Sequence, residues 1–225
     1  METTTYLRIA PEDLDDVLTK IEQAYSITLD TNELRQVETF GQLCEAVTEK
    51  IRLAEVADCT SQQAFYKLRQ SLVDVLHIDR QTIRPTTELA TLLPKKTRRA
   101  AVRQLESVMG FNLDMTMASP YVTIPAQVLL LVSIILLIKG NVPIYAGSGV
   151  LLGIGLFIAA IKFARHLTVQ TVGELAEKLA REHYTKVRRD SCTVNKREIA
   201  DQVKQLFSAD LGLEPHELQP EAILV

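Results

Sequence analysis

The histidines and cysteines are the side chains with the widest chemical repertoire in this chain of 225 residues. Metal sites place such ligands at short, fixed spacings, which neither residue type shows here. The histidines stand apart from one another, at His77, His166, His183 and His216. The cysteines are equally scattered, at Cys44, Cys59 and Cys192. We therefore expect no metal site and no cofactor, and the odd number of cysteines indicates a reducing compartment without a disulfide framework.

Sequence patterns typical of nucleophilic or acid–base catalysis are also missing. No Ser-His-acid arrangement can be recognised, and paired acids such as Asp15-Asp16 are expected on a solvated helix face. Four of the nine glycines, at 147, 149, 153 and 155, fall in an apolar stretch, where they serve helix packing rather than phosphate binding. The basic run from Arg181 to Arg189 has no interleaved aromatics, and the net charge is −3, so we interpret the run as a linker. The sequence predicts a protein that is not an enzyme and does not bind nucleic acid.

Two uncharged apolar stretches interrupt the charged chain, at Val122–Ile138 and Val142–Ile161. Each is close to the ~20 apolar residues that cross the ~30 Å hydrocarbon core of a bilayer. Only Lys139, Gly140 and Asn141 separate them. So short a connection makes the two stretches antiparallel neighbours. We therefore predict a two-helix transmembrane hairpin over residues 122–163, with the lipid bilayer as a partner.

Basic residues flank the hairpin and predict its orientation. They lie before the first arm and after the second, at Arg98, Arg99, Arg103, Lys162 and Arg165. The short loop carries Lys139 alone, so the positive-inside rule places both termini in the cytoplasm. Met1–Ala10 lacks the basic start and apolar core of a secretory signal, so the first arm is expected to direct insertion. The predicted location is integral to a membrane, with the bacterial inner membrane favoured.

Small residues recur along the second arm at helical spacing, at Gly149, Gly153, Gly155 and Ala159. Such a face lets two helix backbones approach closely. We favour packing of this face against the first arm, with homodimerisation as the alternative.

Three pairs of segments outside the hairpin resemble each other, which indicates an internal repeat. The matched pairs are Thr39–Val47 with Thr171–Leu179, Val17–Asp30 with Ala101–Asp114, and Leu76–Pro85 with Leu211–Pro220. Their apolar residues recur at helical spacing, and Asn195 and Gly212 are expected to start and end the last long helix. No alternating strand pattern stands out. The predicted fold class is all-α.

The order of the repeats predicts two helical domains, one of them circularly permuted. The inner copy covers residues 60–118 plus 168–186 and is split by the hairpin. The outer copy is built from both chain ends, residues 1–55 plus 190–225, because its first helix lies at the C-terminus. Termini of compact domains often lie close together, which makes such a permutation tolerable.

At these residues the chain resembles the acyl carrier protein family, whose domains are four-helix bundles. The segment Lys196–Val225 is similar to a carrier's first helix and loop, Leu105–Leu113 to the end of its second helix, and Thr171–Leu179 to its last helix. In that family the prosthetic phosphopantetheine arm sits on the Ser of an Asp-Ser-Leu motif that opens the second helix. The matching positions here are Pro94-Lys95-Lys96 and Ala10-Pro11-Glu12. Neither holds a Ser, so the resemblance implies a carrier fold without carrier chemistry.

The two copies carry opposite charges at this second helix. The inner copy is basic, at Lys95, Lys96, Arg98, Arg99 and Arg103. The outer copy is acidic, at Glu12, Asp13, Asp15 and Asp16. Complementary faces of this kind favour docking to a protein partner, including a second copy of the chain. Contact of the basic face with anionic lipid headgroups and a purely solvated charged face are the alternatives.

The sequence therefore predicts a membrane-anchored, non-catalytic scaffold module that acts on the cytoplasmic face through its charged helices. One alternative is an acyl carrier-type accessory protein of lipid or peptide synthesis at the membrane, with a group carried on Ser191 of Asp190-Ser191. The other is a membrane immunity or accessory protein that neutralises a cognate partner.

Overall fold

A computed structural model describes residues 5–30, 34–118, 120–139, 143–162 and 166–224. The chain is mainly helical, as predicted. Its helices are α1 (Pro11–Tyr25), α2 (Phe40–Lys50), α3 (Thr60–Leu76), α4 (Leu89–Leu92), α5 (Arg98–Met109), α6 (Pro120–Ile138), α7 (Pro143–Lys162), α8 (Val172–Glu182), α9 (Tyr184–Val187) and α10 (Lys196–Leu211), with a 3-10 turn at Arg80–Thr82.

Within the described residues, six two-residue strands accompany the helices and qualify the all-α prediction. They are β1 (Tyr6–Leu7), β2 (Ala54–Glu55), β3 (Thr116–Met117), β4 (His166–Leu167), β5 (Thr193–Val194) and β6 (Ile223–Leu224). β1 pairs with β6 and β2 with β5 in parallel, whereas β3 pairs with β4 antiparallel. Strands of two residues are too short to produce an alternating pattern, so periodicity could not predict them.

The chain divides into two compact units, Met1–Arg69 with Ala176–Val225, and Gln70–Leu175. The boundaries fall within α3 and α8, several residues from the domain limits predicted from the repeats, which remain a prediction. The apolar core of the first unit joins residues from both ends of the chain. It includes Ile21 of α1, Leu43 of α2, and Val203 and Phe207 of α10, all at or near zero exposure. The two chain ends also meet through the β1–β6 pairing.

The caps predicted for α10 are confirmed. The Asn195 side chain accepts a hydrogen bond from the backbone N–H of Arg197, and Gly212 adopts a left-handed conformation with φ of 67°. Glycine tolerates this conformation because it has no Cβ. The polar start and glycine stop therefore limit α10 to the amphipathic segment that fills the core.

The matched segments share their local geometry. Thr39 and Thr171 each accept a hydrogen bond from the backbone N–H three residues later, at 3.3 and 3.2 Å. The following glycines donate to proline carbonyls in the same way, Gly41 to Pro220 at 2.9 Å and Gly173 to Pro85 at 2.8 Å. A Cβ on either glycine would lie within 3.0 Å of that carbonyl oxygen. The recurring glycine thus permits a close approach of two backbones at both places.

A second matched pair closes the ends of α1 and α5. The Glu22 carboxylate accepts from the backbone N–H of Leu29 at 2.6 Å, and the Glu106 carboxylate accepts from that of Leu113 at 3.2 Å. Both helices end in a left-handed residue, Ser26 and Gly110. The sequence similarity between these segments therefore extends to their hydrogen bonds.

Candidate membrane-spanning helix and charged faces

The outer surface of α6 is apolar and exposed. Its segment Tyr121–Ile138 has a mean hydropathy of 2.4, and only 11% of it is buried. Large apolar side chains project outward, including Leu131 at 61% and Ile138 at 80% exposure. An exposed apolar surface along most of a helix is rare on a soluble monomer, because each exposed apolar side chain forgoes about 1.5–3 kcal/mol of burial free energy. By length and composition this helix is able to span a membrane.

The second predicted arm gives a weaker signal. Among the described residues, the apolar part of α7 covers Gly147–Ala160, which is shorter than a full span. Its outer face is nevertheless apolar and exposed, as Leu151 at 74% illustrates. The loop residues Gly140 and Asn141, and Arg165 beyond the second arm, lie outside the described residues. The two-span hairpin therefore remains a prediction, with α6 as its candidate span.

The contact between α6 and α7 is made by small and polar residues. On α6, Ala126 and Ser133 are buried, at 0% and 4% exposure. On α7, a Cβ at Gly149 would overlap the Ser133 side chain, and one at Gly153 would lie 2.7 Å from Leu130 Cγ. Small residues here allow the backbones to approach, as in membrane helix pairs.

The rest of the predicted small-residue face takes less part in this contact. A Cβ at Gly155 would meet no atom within 4 Å, and Ala159 is only half-buried. The neighbouring Ala160 is buried instead, at 8% exposure. The face that packs is therefore narrower than the sequence spacing suggested.

The basic face of the second unit contains one residue that belongs to the fold. Arg98 is 3% exposed, and its Nε donates to the Leu93 carbonyl at 2.9 Å. Burial lowers the pKa of its guanidinium from the ordinary value. Arg98 therefore closes the turn before α5 and does not form part of an exposed docking face, which corrects the predicted set.

The other basic residues of this face lie at the surface. Lys95, Lys96 and Arg103 are exposed, and Arg99 is half-buried. Lys95 and Lys96 lie in the turn before α5, and Arg103 lies on the helix. These positions leave a compact positive face on the second unit.

The acidic face belongs to the first unit. Glu12, Asp13, Asp15 and Asp16 are all exposed in the first turns of α1. Glu12 and Asp13 lie in the first turn, where a carboxylate interacts favourably with the helix dipole by about 0.3–1 kcal/mol. This stabilisation gives a local reason for acidic residues in the first turn. Asp15 and Asp16 lie beyond that turn, and all four carboxylates are exposed to solvent.

The two segments compared with the family's carrier motif begin at Ala10 and Pro94. Each of these residues accepts a hydrogen bond, through its carbonyl oxygen, from the N–H four residues later, at 3.0 and 2.9 Å. Pro11 and Lys95, which stand at the position of the carrier Ser, carry no hydroxyl. In the Asp190-Ser191 pair, the Asp190 carboxylate accepts from the Cys192 N–H at 2.9 Å, which is a local turn.

Arg188 is a buried side chain whose structural role the sequence interpretation missed. It lies in the run taken as a linker, yet it is 3% exposed. Its guanidinium donates to the Thr60 hydroxyl at 2.6 Å and to the carbonyls of Val56 and Asp58 at 3.2 Å, and its Nε donates to Thr193 Oγ1 at 3.0 Å. An arginine among exposed basic neighbours gives no sequence signal of burial. Only the fold shows that it joins the segment before α3 to the segment before α10.

Beside Arg188 lies a buried group of weakly acidic side chains. The rings of Tyr25 and Tyr184 are 4.9 Å apart, and the Tyr184 hydroxyl accepts from the Asn195 N–H at 3.0 Å. Burial raises the pKa of both phenols, that of Tyr25 well above its ordinary value. Burial also raises the pKa of the Cys44 thiol to about 12. These groups are held neutral, so they stabilise the core and are unsuited to nucleophilic chemistry at neutral pH.

Comparisons of the chain with family models, with curated proteins and with solved structures find no match. Function must therefore be inferred from the geometry of the chain itself.

Proposed function

We propose that this protein is a membrane-anchored, non-catalytic interaction module. Two acyl carrier-like helical domains would be held at the cytoplasmic face of a bacterial inner membrane by α6 and α7. They would act by docking, through the exposed basic and acidic faces, to a second copy of the chain or to a protein with complementary charge.

The distribution of residues on α6 and α7 is the observation that carries the proposal. Small and polar residues such as Ser133 and Gly153 are buried between the two helices, whereas most of the described leucines and isoleucines are exposed on the outer surface. A water-soluble pair would show the opposite arrangement, because water favours burial of the apolar side chains. Lipid removes that preference and leaves close packing as the main attraction between helices.

A thiol-labelling experiment tests the anchor. Cys59 and Cys192 are exposed in the first unit, whereas Cys44 is buried and, with a pKa of about 12, little ionised. In intact cells, a membrane-impermeant maleimide should not reach the two exposed native cysteines. It should label Lys139→Cys, made in a Cys59→Ser, Cys192→Ser background, because Lys139 follows the first span. Labelling of all three sites from one side of the membrane would contradict the two-span anchor.

Charge reversal tests the docking faces. A Lys95→Glu, Arg103→Glu variant should lose self-association in detergent at low salt, measured by sedimentation velocity, because like charges then face each other. The matched control, Arg80→Glu and Arg84→Glu, changes two exposed basic residues of the same unit outside this face and should associate normally. At high salt the wild type should also dissociate, since the screening length falls from ~10 Å at 0.1 M to ~3 Å at 1 M.

Mixing two reversed chains provides the complementary test. The Lys95→Glu, Arg103→Glu chain should associate with a Glu12→Lys, Asp16→Lys chain, because each supplies the charge that the other lacks. If neither reversal changes association, the charged faces are solvated surfaces and the docking proposal fails while the anchor stands.

A further inference from the structure

A cleft of about 310 Å³ lies in the first unit, beside α3. Its walls are formed by Gln63, Tyr66 and Lys67 of α3 and by Val187, Arg188 and Arg189 after α8. The volume is at the lower end of the range of ligand sites in proteins, ~300–1,000 Å³. It suits a small ligand or a single headgroup.

The charge of the cleft is one-sided. Three of the six described lining residues are cationic and none is acidic. A larger cavity of about 740 Å³ in the same unit mixes Arg181 and Lys204 with Glu177 and Asp201, so its charges offset one another. The smaller cleft therefore has the stronger attraction for an anion.

Hydrogen bonds hold the Lys67 ammonium and the Arg189 backbone at the cleft. The Lys67 ammonium donates to the Lys186 carbonyl at 2.6 Å. The Gln63 side chain accepts from the Arg189 N–H at 2.7 Å, and its amide donates to the Asp58 carboxylate at 3.3 Å. Burial lowers the pKa of the Lys67 ammonium, a penalty that a bound anion would offset.

Arg69 stacks on two aromatic rings of α3, one of which lines the cleft. The guanidinium carbon of Arg69 lies 5.0 Å from the centre of the Tyr66 ring and 5.1 Å from that of Phe65. This cation–π contact orients the Tyr66 ring. The Tyr66 hydroxyl accepts from the Gln62 amide at 3.3 Å and is held beside the cleft.

We propose that this cleft binds a phosphate monoester, with Lys67 and Arg189 pairing with the phosphate oxygens and the Tyr66 hydroxyl donating to it. A phosphate monoester carries close to two negative charges and three acceptor oxygens, which matches two cations and one hydroxyl. The same chemistry is found in soluble phosphorylated molecules and in the headgroup of phosphatidic acid.

Calorimetric titration of the full chain in phosphatidylcholine nanodiscs tests the site. Inorganic phosphate and glycerol 3-phosphate are the probes, and both should bind the wild type. Lys67→Gln and Arg189→Gln should each weaken binding about tenfold, because each removes one charge-assisted hydrogen bond to the anion. Arg8→Gln, an exposed basic residue of the same unit outside the cleft, is the matched control and should bind like the wild type.

Nanodiscs that also contain phosphatidic acid separate the two sources. If headgroups reach the cleft, soluble phosphate should bind more weakly in these discs; unchanged binding assigns the site to soluble phosphates. Absence of binding by the wild type in phosphatidylcholine discs would overturn the proposal. Full binding by the Lys67→Gln, Arg189→Gln double variant, or equal weakening by Arg8→Gln, would overturn it as well.

Discussion

At the scale of single residues, the fold separates basic side chains that look equivalent in the sequence. Arg188 and Arg189 are adjacent, yet the first is buried with four hydrogen bonds and the second is exposed. Arg98 and Arg103 differ in the same way within α5. A planar guanidinium supplies five donors in fixed directions, so one arginine is able to satisfy several loop carbonyls that no secondary structure pairs.

Replacing Arg188 should therefore unfold the first unit more easily. Arg188→Met removes the guanidinium donor of the Thr60 hydroxyl and of the Val56 carbonyl, and it leaves the Asp58 carbonyl with only the Asn195 amide at 3.4 Å. We therefore expect a loss of about 3 kcal/mol of stability. Thermal unfolding of the full chain in detergent micelles measures this loss. Arg189→Met, the adjacent exposed control, should change stability by no more than about 0.5 kcal/mol. Equal effects of the two substitutions would show that the Arg188 hydrogen bonds contribute little.

At the scale of elements, glycine marks the places where two segments come closest. Gly41 and Gly173 admit a proline carbonyl in the two matched turns, and Gly153 admits Leu130 of the neighbouring helix. The amphipathic helices follow from apolar spacing and from their caps. The pairing of α6 with α7 follows from their uncharged composition and from a narrow stripe of small residues between them.

Replacing a small residue of this stripe with a larger one should push α6 and α7 apart. Gly153→Val places side-chain atoms where Leu130 Cγ would be only 2.7 Å from the new Cβ, so we expect a cost of about 1–3 kcal/mol. Gly155→Val is the matched control, because a Cβ there meets nothing within 4 Å. Titration of the micelle-bound protein with a denaturing detergent compares the two. If both variants resist the detergent equally, the close contact at Gly153 does not hold the pair together.

At the scale of the whole molecule, the two ends of the chain depend on each other. Ile199, Val203 and Phe207 of α10 share a core with α1 and α2, and β6 pairs with β1. Each such side chain contributes about 1.5–3 kcal/mol when buried. The first unit therefore needs residues that are far apart in the sequence.

A chain that ends before Lys196 should expose the apolar stripe of α1, at Val17, Ile21 and Tyr25. We expect trypsin to cleave this truncated chain at Lys20, which the full chain should resist. Adding a peptide of residues 196–225 should restore resistance, because the missing helix can bind the same stripe. A truncated chain as resistant as the full one would show that α10 does not complete the unit.

The sequence by itself determined the features that depend on local pattern. Apolar periodicity predicted the helices, uncharged length predicted α6 as a membrane-spanning candidate, and Asn195 and Gly212 set the limits of α10. The repeats predicted which segments would share a geometry, because each is a short motif with its own caps. These features follow from a few neighbouring residues and need no knowledge of the rest of the chain.

Only the tertiary structure decided which charges are exposed and which small residues touch a neighbour. Burial of Arg98 and Arg188, the exclusion of Gly155 from the helix contact, and the meeting of Lys67 with Arg189 beside one cleft depend on segments far apart in the chain. Placing a charged side chain in the protein interior costs far more free energy than leaving it in water. Long-range packing decides which of the charged side chains are buried. Local sequence therefore predicted the elements, and packing assigned the role of each charged residue.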